Sequence, residues 1–302
     1  MTFLAPLVLA LALAPITPAG PARLAPAERD SLVKAWNTAR TADQEALRTS
    51  PTSYLAAVQR VDFGIARRLV VGSAMDCDVR VNDPGMPAHA LAVSVAGDSF
   101  HVAALDTASF RWKRLEYREA SLGPAGIEYG RWSLRLSHQR FPAVIVFDPK
   151  SPRIATAHGL AYFPVDLGLR FVLSLTANPR PDTVIILSTR GNERRALRVG
   201  WFDFRLGGRT CRLEAHRLLE PGVDESSVSV FFRDATNGKE TYPIGRYVDP
   251  EPAGNGLWTL DFNGAYNPAC AFSSFYNCPL PSKANVLPVA VRAGEKDSHY
   301  AH

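Results

Sequence analysis

Residue types that can do chemistry gather near the C-terminus, where Arg246, Asp261, Asn263, Tyr266 and Asn267 fall within a short span of the chain. Side chains alternate across a strand, so Tyr242 and Arg246 share one face of one predicted strand, and Asp261 and Asn263 share a face of another. If those strands are neighbours, an arginine, a carboxylate, an amide and a phenol converge at one sheet end. Such a set suits a polar small molecule held by Arg246, Asn263 and Asn267 and stacked on Tyr266 or Tyr276. A second chemistry is hydrolytic, with Asp261 as general base, or with Asp234 or Glu240 joining Asp261 as an acid/base pair on a glycosidic or ester bond. A third use is structural, an arginine–carboxylate pair that holds a corner.

The elements that must position these residues are two apolar runs, Leu257 to Phe262 and Val286 to Val291, joined by a long connection with no helical or alternating period. That connection carries Tyr266, Phe272, Phe275 and Tyr276 among asparagines, and reads as a lid over the sheet end. Its two cysteines, Cys270 and Cys278, flank one short loop and are expected to form a disulfide that stiffens it. Cys77 and Cys211 sit in apolar strand-like runs and read as buried thiols. No C-x-x-C pair and no zinc-type spacing accompanies the lid cysteines, so no metal is expected. A nucleophile elbow, an H-E-x-x-H pair and a phosphate-cradling glycine loop are all missing, so no cofactor is expected either. The histidines are dispersed singly; His158 and His216 are the two that could fold back toward the lid.

The chain of 302 residues can bury one large core or two ordinary ones, and 46% hydrophobic with 21% charged residues describes a folded globular protein. Its arginines are scattered, with no basic stripe among stacking aromatics, so a net charge of +5 does not indicate nucleic-acid binding. Phe3 to Ala14 is an unbroken apolar run followed by Pro15, Pro18, Gly20, Pro21 and Ala22, which reads as a secretory signal over residues 1–22. The mature chain is then periplasmic or extracellular and has no membrane span. Its expected partner is a small polar ligand or a component of the cell envelope; the oligomeric state is left open.

Taken in order, residues 23–60 read as a helical strap, because Leu32, Val33, Trp36 and Leu47 recur at helical spacing between Ala27 and Arg48. Ser50-Pro51 then reads as an N-cap and first helical position resetting the chain. Over residues 61–140 the period changes to two, in short strands with a hairpin at Gly97-Asp98. Residues 141–302 give about nine further strands, with hairpins at Gly207-Gly208 and across Thr236-Asn237-Gly238-Lys239, and Val286 to Arg292 as the last strand. The fold class is mainly β: an N-terminal helix, a small sandwich, then a larger antiparallel sandwich or partly closed barrel with a cysteine-bearing lid.

Two stretches carry resemblances. The run VVGSAMDCDVRVNDPGMPAHALAVSVAGDSFHV resembles a forkhead-associated domain, although Ser73 and Met86 stand where that family places a phosphate-binding arginine and a serine. Phosphothreonine recognition is therefore not expected, and His89 reads as a locally satisfied strand-start residue. The succession FFRDATNGKETYPIGRYVDPEP, WTLDFNGAYNPACAFSSFYNCPLP and NVLPVAVRAGEK resembles the C-terminal signature of domain-of-unknown-function family 1684. This resemblance implies a shared fold and pocket without an assigned activity. It implies that Arg233, Asp234, Thr241, Tyr242, Gly245, Arg246, Asp261, Asn263, Tyr266, Asn267, Cys270, Cys278, Pro279 and Asn285 belong to one constellation, and that Gly264 stands where a longer, often basic, side chain is expected.

Overall fold

The computed structural model describes residues 20–300 except 106 and 108, so most of the expected secretory signal lies outside the described residues. The helix spans Pro26–Thr49, with proline in its first turn, Glu28 at its positive end and Arg48 at its negative end. Only Leu47 is fully buried on it. What docks the helix is a stripe at four-residue spacing, Trp36, Arg40 and Gln44. Trp36 Nε1 donates to Asp261 Oδ2 at 3.1 Å, Arg40 Nη1 to the carbonyl of Phe163 at 2.9 Å, and Gln44 brackets the backbone N–H and carbonyl of Leu160. Ser50-Pro51 does not start a second helix. The Ser50 N–H closes the first one on Ala46 O at 3.0 Å, and the chain turns into strand Ala57–Asp62.

Two sheets face each other in the N-terminal part. One has six strands, in the order Ala57–Asp62, Pro142–Phe147, Trp132–His138, Ala125–Tyr129, Phe110–Trp112, Leu115–Tyr117. The other has five, in the order Val79–Arg80, Arg68–Gly72, Leu91–Ala96, Ser99–Ala104, Glu119–Leu122. Phe63, Leu69, Val93, Phe100, Phe110, Leu134 and Val144 fill the space between them. Ala57–Asp62 pairs antiparallel with Pro142–Phe147, so the sandwich reaches a few residues beyond both 61 and 140.

The C-terminal part is built on three small sheets. Thr176–Leu187, Glu193–Leu206 and Arg209–Leu218 form a meander, with Gly207-Gly208 making its second turn. Arg170–Ser174 pairs with Leu257–Asp261, which pairs in turn with Glu251–Gly254. Val230–Phe232 pairs with Arg246–Val248. None of these sheets closes into a barrel. Phe171, Phe202, Phe204, Phe232, Leu260, Phe262 and Val291 form the shared core, in which Phe262 meets three other phenyl rings at centroid distances of 5.3 to 6.1 Å.

Val286 to Arg292 forms no strand. It makes one parallel bridge, Arg233 with Val286, and then runs as an extended strap, because Pro288 has no N–H to offer a ladder while Leu287 and Val291 are still buried. Gly294 then crosses the turn at Phe262–Gly264 so closely that a Cβ there would lie 2.3 Å from Ala265 O and 2.8 Å from Phe262 O. With φ at +73° as well, only glycine fits, and it sets Glu295 beside Asn267. No helix among the described residues is long and apolar enough to cross a membrane.

Candidate functional site

Arg246 and Asp261 do not meet. Arg246 is fully buried and its guanidinium closes on Asp234 at 2.8 Å. The same group donates to the carbonyls of Val291, Ala293 and Glu295 at 2.7, 2.5 and 3.1 Å, clamping the strap against the core. Asp261 instead caps the turn that follows its strand, accepting from Asn263 N at 3.0 Å, and takes the Trp36 indole with its other oxygen, 3.6 Å from Arg170. Sheet topology explains the separation, because strand Arg246–Val248 pairs with Val230–Phe232 and not with Leu257–Asp261. Tyr242 lies in a turn and the strand begins only at Arg246, so Tyr242 and Arg246 are not a two-residue repeat on one face.

The other sequence-nominated residues divide. Asn285 is completely buried and bridges Glu214 and Phe231 backbones through three hydrogen bonds of 2.7 to 3.0 Å, which makes it a joint between strands. Arg233 is exposed at the surface, and Tyr242 is half-buried with its hydroxyl 3.3 Å from Cys270 O. Glu240 is paired with Arg292 at 2.8 Å on the surface. Asn263, Tyr266 and Asn267, by contrast, lie together in the wall of one cleft.

Cys270 and Cys278 are free thiols and not a disulfide, as are Cys77 and Cys211. The lid is held without a covalent closure. Cys278 N donates to Thr189 Oγ1 at 3.0 Å, Thr189 N to Cys278 O at 2.9 Å, Leu280 N to Leu187 O at 2.7 Å, and Cys270 N to Cys278 Sγ at 3.3 Å. The side-chain hydrogen bond with Cys270, and then burial, push the Cys278 thiol well above its ordinary range, so it keeps its proton. His216 is buried on its strand, and desolvation lowers its pKa, with Glu214 at 3.6 Å. His158 stacks on Tyr300 at 4.2 Å between ring centroids. Neither histidine reaches the cleft.

The cleft holds about 420 Å³ and lies between the N-terminal helix and the turn Phe262–Asn267, a size that suits a small organic molecule. Trp36, Tyr54, Tyr162, Tyr266 and Phe272 supply its apolar walls, and Arg40, Asp43, Asn267 and Glu295 its polar points. Two of these points have hydrogen-bonding capacity left over. Asn267 is 2% exposed; its N–H goes to Glu295 Oε2 at 2.8 Å and its Nδ2 to Lys296 O at 2.7 Å, yet its Oδ1 has no partner among the described residues. On the facing helix, Arg40 uses Nη1 on Phe163 O and stacks 4.8 Å over the Tyr162 ring, while Nε and Nη2 are buried without a partner. An unpaired buried polar atom is costly, so these atoms are unmet hydrogen-bonding capacity in two residues that line the cleft.

Glu295 is the titratable group of the cleft. Burial, opposed by the Asn267 N–H and reinforced by Asp43, pushes its carboxyl up to about 7. The Tyr162 and Tyr266 phenols are held above their ordinary range by burial, and each sits by a carboxylate, Asp43 at 3.5 Å and Asp249 at 2.9 Å. Asn263 has spent all its capacity, on Asp166 N and O and on Asp261 at 2.8 Å each, so it shapes the cleft without offering a contact. The indole of Trp36 fills the space over Gly264, where a Cβ would lie 2.6 Å from the ring. The sequence reading missed Trp36, Arg40, Asp43 and Glu295. The spacing of Trp36, Arg40 and Gln44 was the available signal for the first two, and the Gly-Glu step at 294–295 for the last.

The family described as "Protein of unknown function (DUF1684)" matches residues 155–296, and through that segment the chain belongs to it. A solution structure of an uncharacterized protein of Haloarcula marismortui is 36% identical, covering 48% of this chain and 80% of that one, with a TM-score of 0.40. The N-terminal part is similar to the crystallised FhaA forkhead-associated domain at 20% identity, covering 26% of this chain and 78% of that one, with a TM-score of 0.21. No curated protein matches the chain.

Proposed function

We propose that this DUF1684 member is a binding protein whose cleft takes a small molecule with an apolar or aromatic body and a polar head bearing both an acceptor and a donor. The observation that carries the reading is that two residues lining this one cleft, Asn267 through its Oδ1 and Arg40 through its Nε and Nη2, keep buried polar atoms without a partner among the described residues. An acceptor group of the ligand answers the arginine, a donor answers the asparagine, and the aromatic walls take the body. In this reading the Tyr266 ring is offered for stacking and the Asn267 amide for a polar contact, as expected from the sequence, and Arg40 takes the place given there to Arg246. Ligand-observed NMR against a library of small amino-carboxylates and related zwitterions tests this on the full chain. Hits that vanish in both Arg40→Ala and Asn267→Ala, and persist in Arg233→Ala, support it; hits indifferent to Arg40 and Asn267 overturn it.

A hydrolytic reading has one observation behind it, the Glu295 carboxyl near 7 in the same cleft as Asp43, which suits a general acid. Asp234, Glu240 and Asp261 do not serve it, being paired with Arg246, Arg292 and the Trp36 indole with Arg170. Turnover of glycoside or ester substrates that is abolished by Glu295→Gln with binding retained would establish the enzyme.

The apolar run Phe3 to Ala14 supports an exported protein that meets its ligand in the periplasm or outside the cell. Mass spectrometry of the protein recovered from its native host tests this: a chain that begins near Ala19 to Ala22 is expected, and an intact Met1 in a cytosolic fraction would refute export.

A further inference from the structure

A mixed set of metal-binding side chains lies in the N-terminal sandwich, in a part of the chain that the cleft does not use. Asp76 and Cys77 sit in the connection between strands Arg68–Gly72 and Val79–Arg80, and His89 just precedes strand Leu91–Ala96. One carboxylate oxygen, the Cys77 sulfur and one imidazole nitrogen all lie within 4.8 Å of one another. His89 Nε2 is 3.0 and 3.1 Å from the two Asp76 oxygens, and Cys77 Sγ is 3.1 Å from Ala88 O. Backbone bonds fix the two loops against each other: Ser73 N to Pro87 O at 2.9 Å and Ala74 N to Ala88 O at 3.1 Å. Gly72 leaves room for the thiol, since a Cβ there would lie 2.2 Å from Ala88 O and 2.9 Å from Cys77 Sγ.

We propose that Asp76, Cys77 and His89 form a binding site for a divalent transition-metal ion of the zinc type, with its fourth position open to water. A thiolate, an imidazole and a carboxylate suit zinc and its neighbours in the first transition row, whereas magnesium and calcium take oxygen ligands. Ligand atoms around a tetrahedral zinc ion stand about 3.3–3.6 Å apart, given the usual zinc–ligand bond lengths. Small rotations about the Asp76 and His89 side chains, which are 73% and 45% exposed, close the cluster to that span. On binding, the Cys77 S–H proton leaves to solvent, the S–H···O contact to Ala88 is replaced by a sulfur–metal bond, and His89 coordinates as the neutral imidazole. The spacing rules for zinc motifs do not find this set, because two ligands are adjacent residues and the third comes from another loop.

Titration of the reduced full chain with Co²⁺, followed by Zn²⁺, tests the site. One equivalent of Co²⁺ is expected to give a thiolate-to-cobalt charge-transfer absorption that Zn²⁺ displaces. Cys77→Ser is expected to abolish that absorption, and Asp76→Asn or His89→Ala to weaken binding by about tenfold or more. The Cys270→Ser/Cys278→Ser variant is expected to retain it. Absence of the absorption, its survival in Cys77→Ser, or its loss with the lid cysteines instead would each overturn the proposal. Should Cys77→Ser fail to fold by circular dichroism, the exposed His89 decides the question: unchanged affinity in His89→Ala overturns the site.

Discussion

The indole of Trp36 occupies the space in front of Gly264, and its Nε1 is tied to Asp261 Oδ2 at 3.1 Å. The family resemblance leads one to expect a longer side chain at position 264. Here a ring from the N-terminal helix stands in that place, so the helix and the turn are matched surfaces.

Gly264→Lys should therefore displace the helix. A Cβ at 264 forces the indole outward and breaks its bond to Asp261, a loss of about 1–3 kcal/mol for overpacking with a lost hydrogen bond. Limited proteolysis should then cut between Thr49 and Ala57 in the variant and not in the parent. Adding Trp36→Ala to Gly264→Lys should restore part of the stability in a double-mutant cycle; a purely additive cycle would show that the two do not touch in solution.

Arg246→Ala is expected to cost about 3–5 kcal/mol, because it strands buried Asp234 and frees three strap carbonyls. Asp261→Asn should cost about 1 kcal/mol, since an amide oxygen can still cap the Asn263 turn. Urea unfolding of both variants measures the contrast. Equal and small losses would mean that Arg246 is not the clamp.

Glu295 sets a pH dependence of known sign. Its carboxyl rises from 4.5 to about 7 on folding, so the folded chain holds the proton more tightly than the unfolded one. Below about 4.5 both states are protonated and the group is neutral in effect. As pH rises to 7 and beyond, the folded state loses up to about 3 kcal/mol relative to a chain without this acid. Glu295→Gln should remove that part of the decline between pH 4.5 and 7 in denaturant unfolding. Parallel curves for the two proteins would place the carboxyl in water instead.

Thiol titration separates the free cysteines from a bridged pair. Unfolded in denaturant without reductant, the chain should present four reactive thiols, and native it should react slowly because all four are buried. Two thiols in the unfolded chain would mean that Cys270 and Cys278 are joined.

Much of the framework could be read from residue order. The helix announces itself through Leu32, Val33, Trp36 and Leu47, and the hairpins through Gly97-Asp98 and Gly207-Gly208, because each signal is local. The site was harder, for the choice of partner is a tertiary matter. Asp234 and Asp261 are both plausible mates for Arg246, and what decides between them is the compact turn at Thr236–Thr241, which brings Asp234 under the strap. Asn285 and Asn267 look alike in sequence, yet one ends with every bond satisfied and the other with an oxygen to spare. Glu295, between Gly294 and Lys296 near the chain end, has the composition of a solvated tail, and only the crossing at Gly294 turns it inward.

The family segment begins at residue 155, whereas Trp36, Arg40 and Asp43 come from the helix far upstream. A recombinant fragment cut to the family boundaries would keep the core residues from Leu169 to Ala293 and lose the helix wall of the cleft. If the cleft binds as proposed, relatives that lack an equivalent helix would differ from this protein in what they take up even where residues 155–296 align well.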